Sequence, residues 1–198
     1  MPPLATLSAP AKINLSLRIL RRRDDGYHDL DSLFLPVPGL CDTLVVRSGP
    51  PGAGCQVEPA LPGVPLEKNL VHRAWAAYAR ATGFVPDIVV ELTKRIPTGA
   101  GLGGGSSDAA AMLVWLQTQA GEKALGETAL SALAAGLGAD VPFFLVGGPA
   151  LARGIGERLT PVELDLGGLT LVLVCPEIHI ATPWAFGQWD SLCLDAVR

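Results

Sequence analysis

Residues 13–20, Ile-Asn-Leu-Ser-Leu-Arg-Ile-Leu, alternate apolar and polar side chains, the period-2 pattern of a half-buried strand. A shorter strand over residues 4–8 precedes it. Ala9, Pro10, Ala11 and Lys12 form the connection, which puts Lys12 at a strand start. After the charged turn 21–26, where Asp25-Gly26 is a hairpin signal, the extended pattern returns over 30–37 and 42–47. Residues 49–65 are rich in Gly and Pro and read as loop, with a short strand at 55–57. The period then becomes helical. Asn69 caps a helix with Leu70, Ala74, Ala77, Tyr78 and Ala81 on one face, and Gly83 closes it. Trp75 is assigned to the core or a pocket wall and His72 to the surface. A β-branched strand over 87–96 leads into a glycine-rich loop, and a helix runs from about Ser107 to Gln119. Leu130, Leu133, Ala134 and Leu137 mark another helix, and 141–145 is an apolar run. Residues 153–157 form a Gly-containing turn. Residues 169–174 read as a continuous apolar strand, and Ile178, His179 and Ile180 continue extended with His179 toward solvent.

The loop Pro97-Thr98-Gly99-Ala100-Gly101-Leu102-Gly103-Gly104-Gly105-Ser106-Ser107 carries the clearest chemistry. Glycines let backbone N–H groups converge with no Cβ in the way. A glycine loop that opens a helix adds free amides and the positive end of the helix dipole, which together make a phosphate site. A flexible turn is the plainer alternative, but a turn needs only one or two glycines. The triphosphatase P-loop requires Lys after its last glycine, and Ser106 stands there instead. The dinucleotide pattern overlays Gly99, Gly101 and Gly104 but wants an acid on a second strand about 20 residues on, where this chain has the loop at Gly121 and Glu122.

Two other groups stand out. Lys12 lies beside Pro10 at a strand start, where a solvated lysine is the ordinary outcome. Asp140 stands between a helix end and an apolar run. That is the commoner setting of a cap aspartate, and also how a carboxylate general base is built.

Composition narrows the class. The chain has 198 residues and 49% hydrophobic content, enough for a sizeable core. A net charge of -4 argues against a nucleic-acid groove. No apolar run is long enough to span a membrane, and the N-terminus lacks the pattern of a signal peptide. Cys41, Cys55, Cys175 and Cys193 form no C-x-x-C pair, which suits a reducing cytoplasm.

The glycine loop resembles the ATP loop of the GHMP kinases, a family named for galactokinase, homoserine kinase, mevalonate kinase and phosphomevalonate kinase. Four further segments are similar to the branch of that family whose substrate is a cytidine-diphosphate-linked polyol. They are Pro10-Ala11-Lys12-Ile13-Asn14-Leu15, Gly26-Tyr27-His28, Gly138-Ala139-Asp140-Val141-Pro142-Phe143-Phe144 and Thr182-Pro183-Trp184-Ala185-Phe186. The resemblance implies an α+β fold: a ribosomal-protein-like two-layer ATP-binding domain over 1–160 and the start of a second α+β domain over 161–198. It implies phosphoryl transfer from ATP, with Mg²⁺, to a hydroxyl of that polyol in the non-mevalonate route to isoprenoid precursors. Asp140 matches the catalytic aspartate and Lys12 its partner, stabilising charge on the attacking oxygen. Tyr27 and Phe186 match residues that sandwich the cytosine ring, and His28 one that hydrogen-bonds it. Asn14 and Thr182 fall in the substrate pocket, and Asn69 near the adenine.

Family members carry a second glycine-rich motif late in their C-terminal domain, and none follows Gly187 here. The tail from Gly187 does not look like the family. The expectations are an incomplete second domain and self-association through apolar residues of 169–174. A sister kinase of another small alcohol such as homoserine, and a nucleotide-binding fragment without catalysis, stand as alternatives.

Overall fold

The computed structural model describes residues 2–176 and 180–196. Two long strands, β1 (Ala5–Arg22) and β2 (His28–Ser48), pair antiparallel across the turn at Asp25 and Gly26. The sequence pattern divides each into two, but both are continuous. Register shifts at Asn14/Ser16 and Ile19/Arg21 take up Leu15 and Leu20 of β1 as bulges, and the shift at Pro10/Ala11 takes up residues 38–40 of β2. Lys12 therefore sits within a strand, just past a bulge, and not at a strand start. In β2 the break is hidden by a change of partner. Residues 30–34 pair with β5 (Ala150–Gly154) and 43–48 with β4 (Ile88–Thr93). Pro36 and Pro38 fall between those partners, where that edge of β2 is open and a missing N–H loses no ladder bond to it.

Strand β3 (Cys55–Glu58) adds in parallel to β4, and β6 (Arg158–Pro161) closes a hairpin with β5. The six-stranded sheet runs β3-β4-β2-β5-β6, with β1 along the other edge of β2. Helices α1 (Leu70–Thr82), α2 (Gly104–Gln119), α3 (Glu127–Leu137) and α4 (Val141–Val146) make the second layer, with α2 against β1 and β2 and α1 beside it. Leu44, Val46, Ile88 and Val90 of the sheet meet Val71 and Tyr78 of α1 and Met112, Leu113 and Leu116 of α2. Each such buried side chain contributes about 1.5–3 kcal/mol relative to exposure. This is the α+β two-layer arrangement that the resemblance implied.

Several local expectations change. The face of α1 read from sequence holds at Ala74 and Tyr78, which are buried, and at Leu70 and Ala77, which are half-buried; Val71 joins it as a buried residue, and Ala81 is exposed. His72 is not a free surface residue: its Nδ1 donates to the Cys55 carbonyl at 3.0 Å. The Trp75 indole is half-buried against the main core and donates to the Pro86 carbonyl at 3.0 Å. Helix α2 begins at Gly104 rather than Ser107, because Gly103 takes φ +71° as its N-cap and accepts the first helical hydrogen bond, from Ser107. Residues 169–174 do not form a strand. Leu169, Val172 and Val174 are 75%, 76% and 84% exposed. An apolar run becomes a strand only when another edge pairs with it, and among the described residues none does. Ile178 and His179 lie outside the described residues. A helix that the sequence pattern did not reveal, α5 (Thr182–Ala196), opens with Pro183 in its first turn, where a missing N–H is tolerated. Among the described residues no helix is long and apolar enough to cross a membrane.

Candidate active site

A small second core of Phe34, Phe143, Ala150 and Ala152 supports Lys12. The Lys12 ammonium lies 4.7 Å from the Phe34 ring centroid, donates to Asn14 Oδ1 at 2.8 Å, and stands 3.4 Å from Asp140 Oδ2. Asn14 in turn donates to Ser32 Oγ at 2.9 Å, and Ser32 to the Ser16 carbonyl at 2.5 Å. Lys12 is only 5% exposed, and a buried cation needs such partners. Asp140 precedes α4, yet its side chain makes no cap hydrogen bond. That removes the ordinary role of an aspartate at this position and leaves its carboxylate free beside the ammonium, with its side chain 31% exposed.

The glycine loop is fastened to the same strand. Lys12 N donates to the Leu102 carbonyl at 2.9 Å. Gly99, Gly101 and Gly103 all have φ between +71° and +76°. A Cβ on Gly104 would come within 3.0 Å of Ile96, and one on Gly105 within 3.2 Å of Leu70. The amides of Gly104, Gly105 and Ser106 precede the first intrahelical hydrogen bond of α2 and are the donors a phosphate would meet.

Residues 97–106 line one cavity of about 370 Å³ together with Asn69, Lys94 and Asp108. Asn69 is buried and also caps α1, its Oδ1 accepting from Val71 N at 2.9 Å. A second cavity of about 520 Å³ gathers Lys12, Asn14, Tyr27, His28, Asp140, Thr182 and Phe186. Gly101 and Ser106 line both cavities. Ser107 is not brought to either: its Oγ is buried without a partner among the described residues, and it borders a cleft with Ser8 and Ala111 instead. Tyr27 is 60% exposed. The Phe186 ring stacks on His28 at 4.8 Å.

Beneath the loop lies a charged cluster that sequence reasoning missed. Lys94 bridges Asp42, with which it makes a short contact, and Asp108, at 2.7 Å. Asp42 is fully buried and also accepts from the amides of Arg95 and Ile96. The Asp108 carboxyl is pushed up to about 7, chiefly by burial, against the pull of Lys94 and with a further push from Asp42. Burial pulls the Lys94 ammonium down, but the two carboxylates outweigh it and hold it above its usual value. Asp42 and Lys94 meet across β2 and β4, one step beyond the Thr43–Thr93 pair. Strand register alone could have revealed that pairing.

Residues 69–148 match the GHMP kinases N terminal domain. Over 93% of its length the chain is 48% identical to a 4-diphosphocytidyl-2-C-methyl-D-erythritol kinase of Solidesulfovibrio magneticus. Over 96% it is 49% identical to the kinase of that name from Nitratidesulfovibrio vulgaris. The chain belongs to the GHMP kinase family. A crystal structure of a 4-(cytidine 5'-diphospho)-2C-methyl-D-erythritol kinase has the same GHMP fold, with a TM-score of 0.68 at 45% identity over 85% of this chain and 61% of the other. The chain spans 62% and 66% of the lengths of the two GHMP relatives. The match over 96% of the chain runs past Gly187, so the start of the tail set apart from the family by its sequence lies within the similarity.

For Mg²⁺ the donor set is thin. Among the described residues no group of three or more His, Cys, Asp or Glu could hold a metal. Asp108, the carboxyl nearest the loop amides in sequence, is committed to Lys94.

Proposed function

We propose that this chain is an ATP-dependent kinase of 4-diphosphocytidyl-2-C-methyl-D-erythritol, acting on a hydroxyl of the polyol in the non-mevalonate route to isoprenoid precursors. The observation that carries the proposal is the meeting of two cavities at Gly101 and Ser106, with Lys12 and Asp140 in the wall of the second. ATP enters the loop cavity, its adenine end near Asn69 and its phosphates on the amides of Gly104, Gly105 and Ser106. The polyol lies along Lys12, Asn14 and Thr182. Its cytosine lies between Tyr27 and Phe186 and bonds to His28.

In the step itself the hydroxyl oxygen forms a bond to the γ-phosphorus, the bond to the bridging oxygen of ADP breaks, and the hydroxyl proton passes to Asp140. A positioned base contributes about 10²- to 10⁴-fold. Lys12, already desolvated and held by Asn14 and Phe34, faces the growing charge without reorganising.

Residues 1–160 form the ATP-binding domain and 161–198 the start of a second, from which α5 returns to the substrate cavity. Free thiols at Cys41, Cys55 and Cys175 suit a cytoplasmic setting. The exposed Leu169, Val172 and Val174 support self-association, which light scattering would reveal. The deciding experiment is an ADP-release assay with the cytidyl polyol and with homoserine, each with and without CMP. Turnover of the cytidyl polyol alone, inhibited by CMP, is expected. Turnover of homoserine, or indifference to CMP, would overturn the assignment.

A further inference from the structure

Asp190, on α5, is absent from the set of residues assembled above, yet it holds one of them. His28 Nε2 and Asp190 Oδ1 are 2.7 Å apart, and the His28 and Asp190 side chains are 6% and 19% exposed. An ionised carboxylate only accepts hydrogen bonds, so Nε2 must carry the proton. Arg22 Nε stands 3.6 Å from the other oxygen, Oδ2. Phe186 covers one face of the imidazole at an interplanar angle of 20°, and the edge of Trp189 approaches at 5.7 Å. Phe186 and Asp190 are four residues apart on one helix, so a single helical face supplies both the stacking ring and the carboxylate. The imidazole is thus fixed in orientation as well as in tautomer. Nδ1 is left as the acceptor of the neutral ring, and among the described residues nothing bonds to it.

The consequence is a choice between pyrimidines. Cytosine presents an exocyclic amino donor where uracil presents a carbonyl acceptor. An acceptor nitrogen bonds the first and opposes the second. We infer that Asp190 is a specificity-positioning residue, holding His28 as the Nε2–H tautomer so that Nδ1 accepts from an amino-pyrimidine and rejects a keto-pyrimidine. This rests on the cytosine-pocket reading proposed above. It adds the residue that sets the preference and the reason for it. A carboxylate that orients a histidine by binding its far nitrogen is a general device, and here it would act on recognition rather than on catalysis.

The test is calorimetric titration of the full chain with cytidine 5′-diphosphate and with uridine 5′-diphosphate, with ADP at saturation so that the loop cavity is filled. The unmodified chain should prefer the cytidine form by about 10- to 100-fold, the size of one hydrogen bond gained against one acceptor opposed. Asp190→Asn should bring the two affinities to within about threefold, because an amide turns over to serve either tautomer. A merely structural Asp190 would lower both affinities by the same factor and keep their ratio. That outcome overturns this inference and leaves the pocket reading intact. Equal affinities of the unmodified chain for the two nucleotides also overturn this inference, whereas absent binding of both overturns the pocket reading itself. The ¹⁵N shifts of His28 in the unmodified chain give a second reading that needs no variant. A protonated Nε2 with a bare Nδ1 is expected at pH 8, and a protonated Nδ1 with a bare Nε2 overturns the inference.

Discussion

The amide of Lys12 donates to the carbonyl of Leu102 at 2.9 Å, so the lysine facing Asp140 and the glycine loop share a backbone bond. Gly103, next along, is where this coupling is tightest. It has φ +71°, and a Cβ there would come within 3.0 Å of both Lys12 Cγ and Phe144 Cζ. The obstacle to a side chain is therefore the protein, not only a phosphate. Gly103→Ala should lower stability by about 1–3 kcal/mol through the left-handed backbone. Because Lys12 must shift, it should also reduce turnover more than it weakens ADP. Urea titration, calorimetry and an ADP-release assay report the three quantities. A variant with altered ADP affinity but full turnover would show that the loop and Lys12 move independently.

Asp140 carries the proton in the proposed step and makes no cap hydrogen bond to α4. Asp140→Asn should therefore keep both fold and nucleotide affinity while lowering turnover by at least about 10²-fold. Undiminished turnover would remove Asp140 from the base role.

The parts of this site that sequence revealed are those written in local chemistry. The glycine loop, the Asn69 cap and the isolated Asp140 are each visible within a dozen residues, whereas the half-buried alternation read over 13–20 gives a strand whose Leu15, Leu17 and Leu20 are exposed. What escaped was set by pairing across distance. Asp42 and Lys94 meet only because β2 and β4 adopt one register. The two long strands looked broken at the connection 9–12 and between 37 and 42, and only the register shifts and the change of partner show how each strand runs through. Residues 169–174 erred the other way: local apolarity promised a strand, but a strand needs a neighbour. Helix α5 mixes Trp, Gly and Asp with too little periodicity to declare itself, so Asp190 was invisible beside His28.

Tyr27 and Phe186 reach the second cavity from the β1–β2 turn and from α5. Stacking on a base contributes about 1–3 kcal/mol by alanine substitution. Tyr27→Ala and Phe186→Ala should each weaken cytidine 5′-diphosphate by that amount and leave ADP unchanged. The effect of Phe186 should be the larger, since its loss also frees the His28 ring it covers. Loss of ADP affinity in both variants would mean that the two cavities are assigned the wrong way round.

The cluster under the loop should make stability depend on pH in a direction opposite to that of an ordinary salt-bridged acid. Asp108 is raised from 3.8 to about 7 in the folded chain. Between about pH 4 and 7 the folded state therefore holds a proton that the unfolded state has released. Stability falls as pH rises through that window and is level above it. Asp108→Asn should remove this slope and be at least as stable as the unmodified chain at pH 8. Lys94→Met tests the same linkage from the other side. At pH 8 it leaves two buried carboxylates with no cation between them, a loss of about 3–5 kcal/mol for breaking a buried pair. At pH 5 Asp108 is protonated, one charge fewer is stranded, and the loss should be clearly smaller. Urea midpoints of the three proteins at both pH values decide the matter. A Lys94→Met penalty that is the same at pH 5 and pH 8 would mean that Asp108 stays ionised throughout and that the cluster is a plain salt bridge.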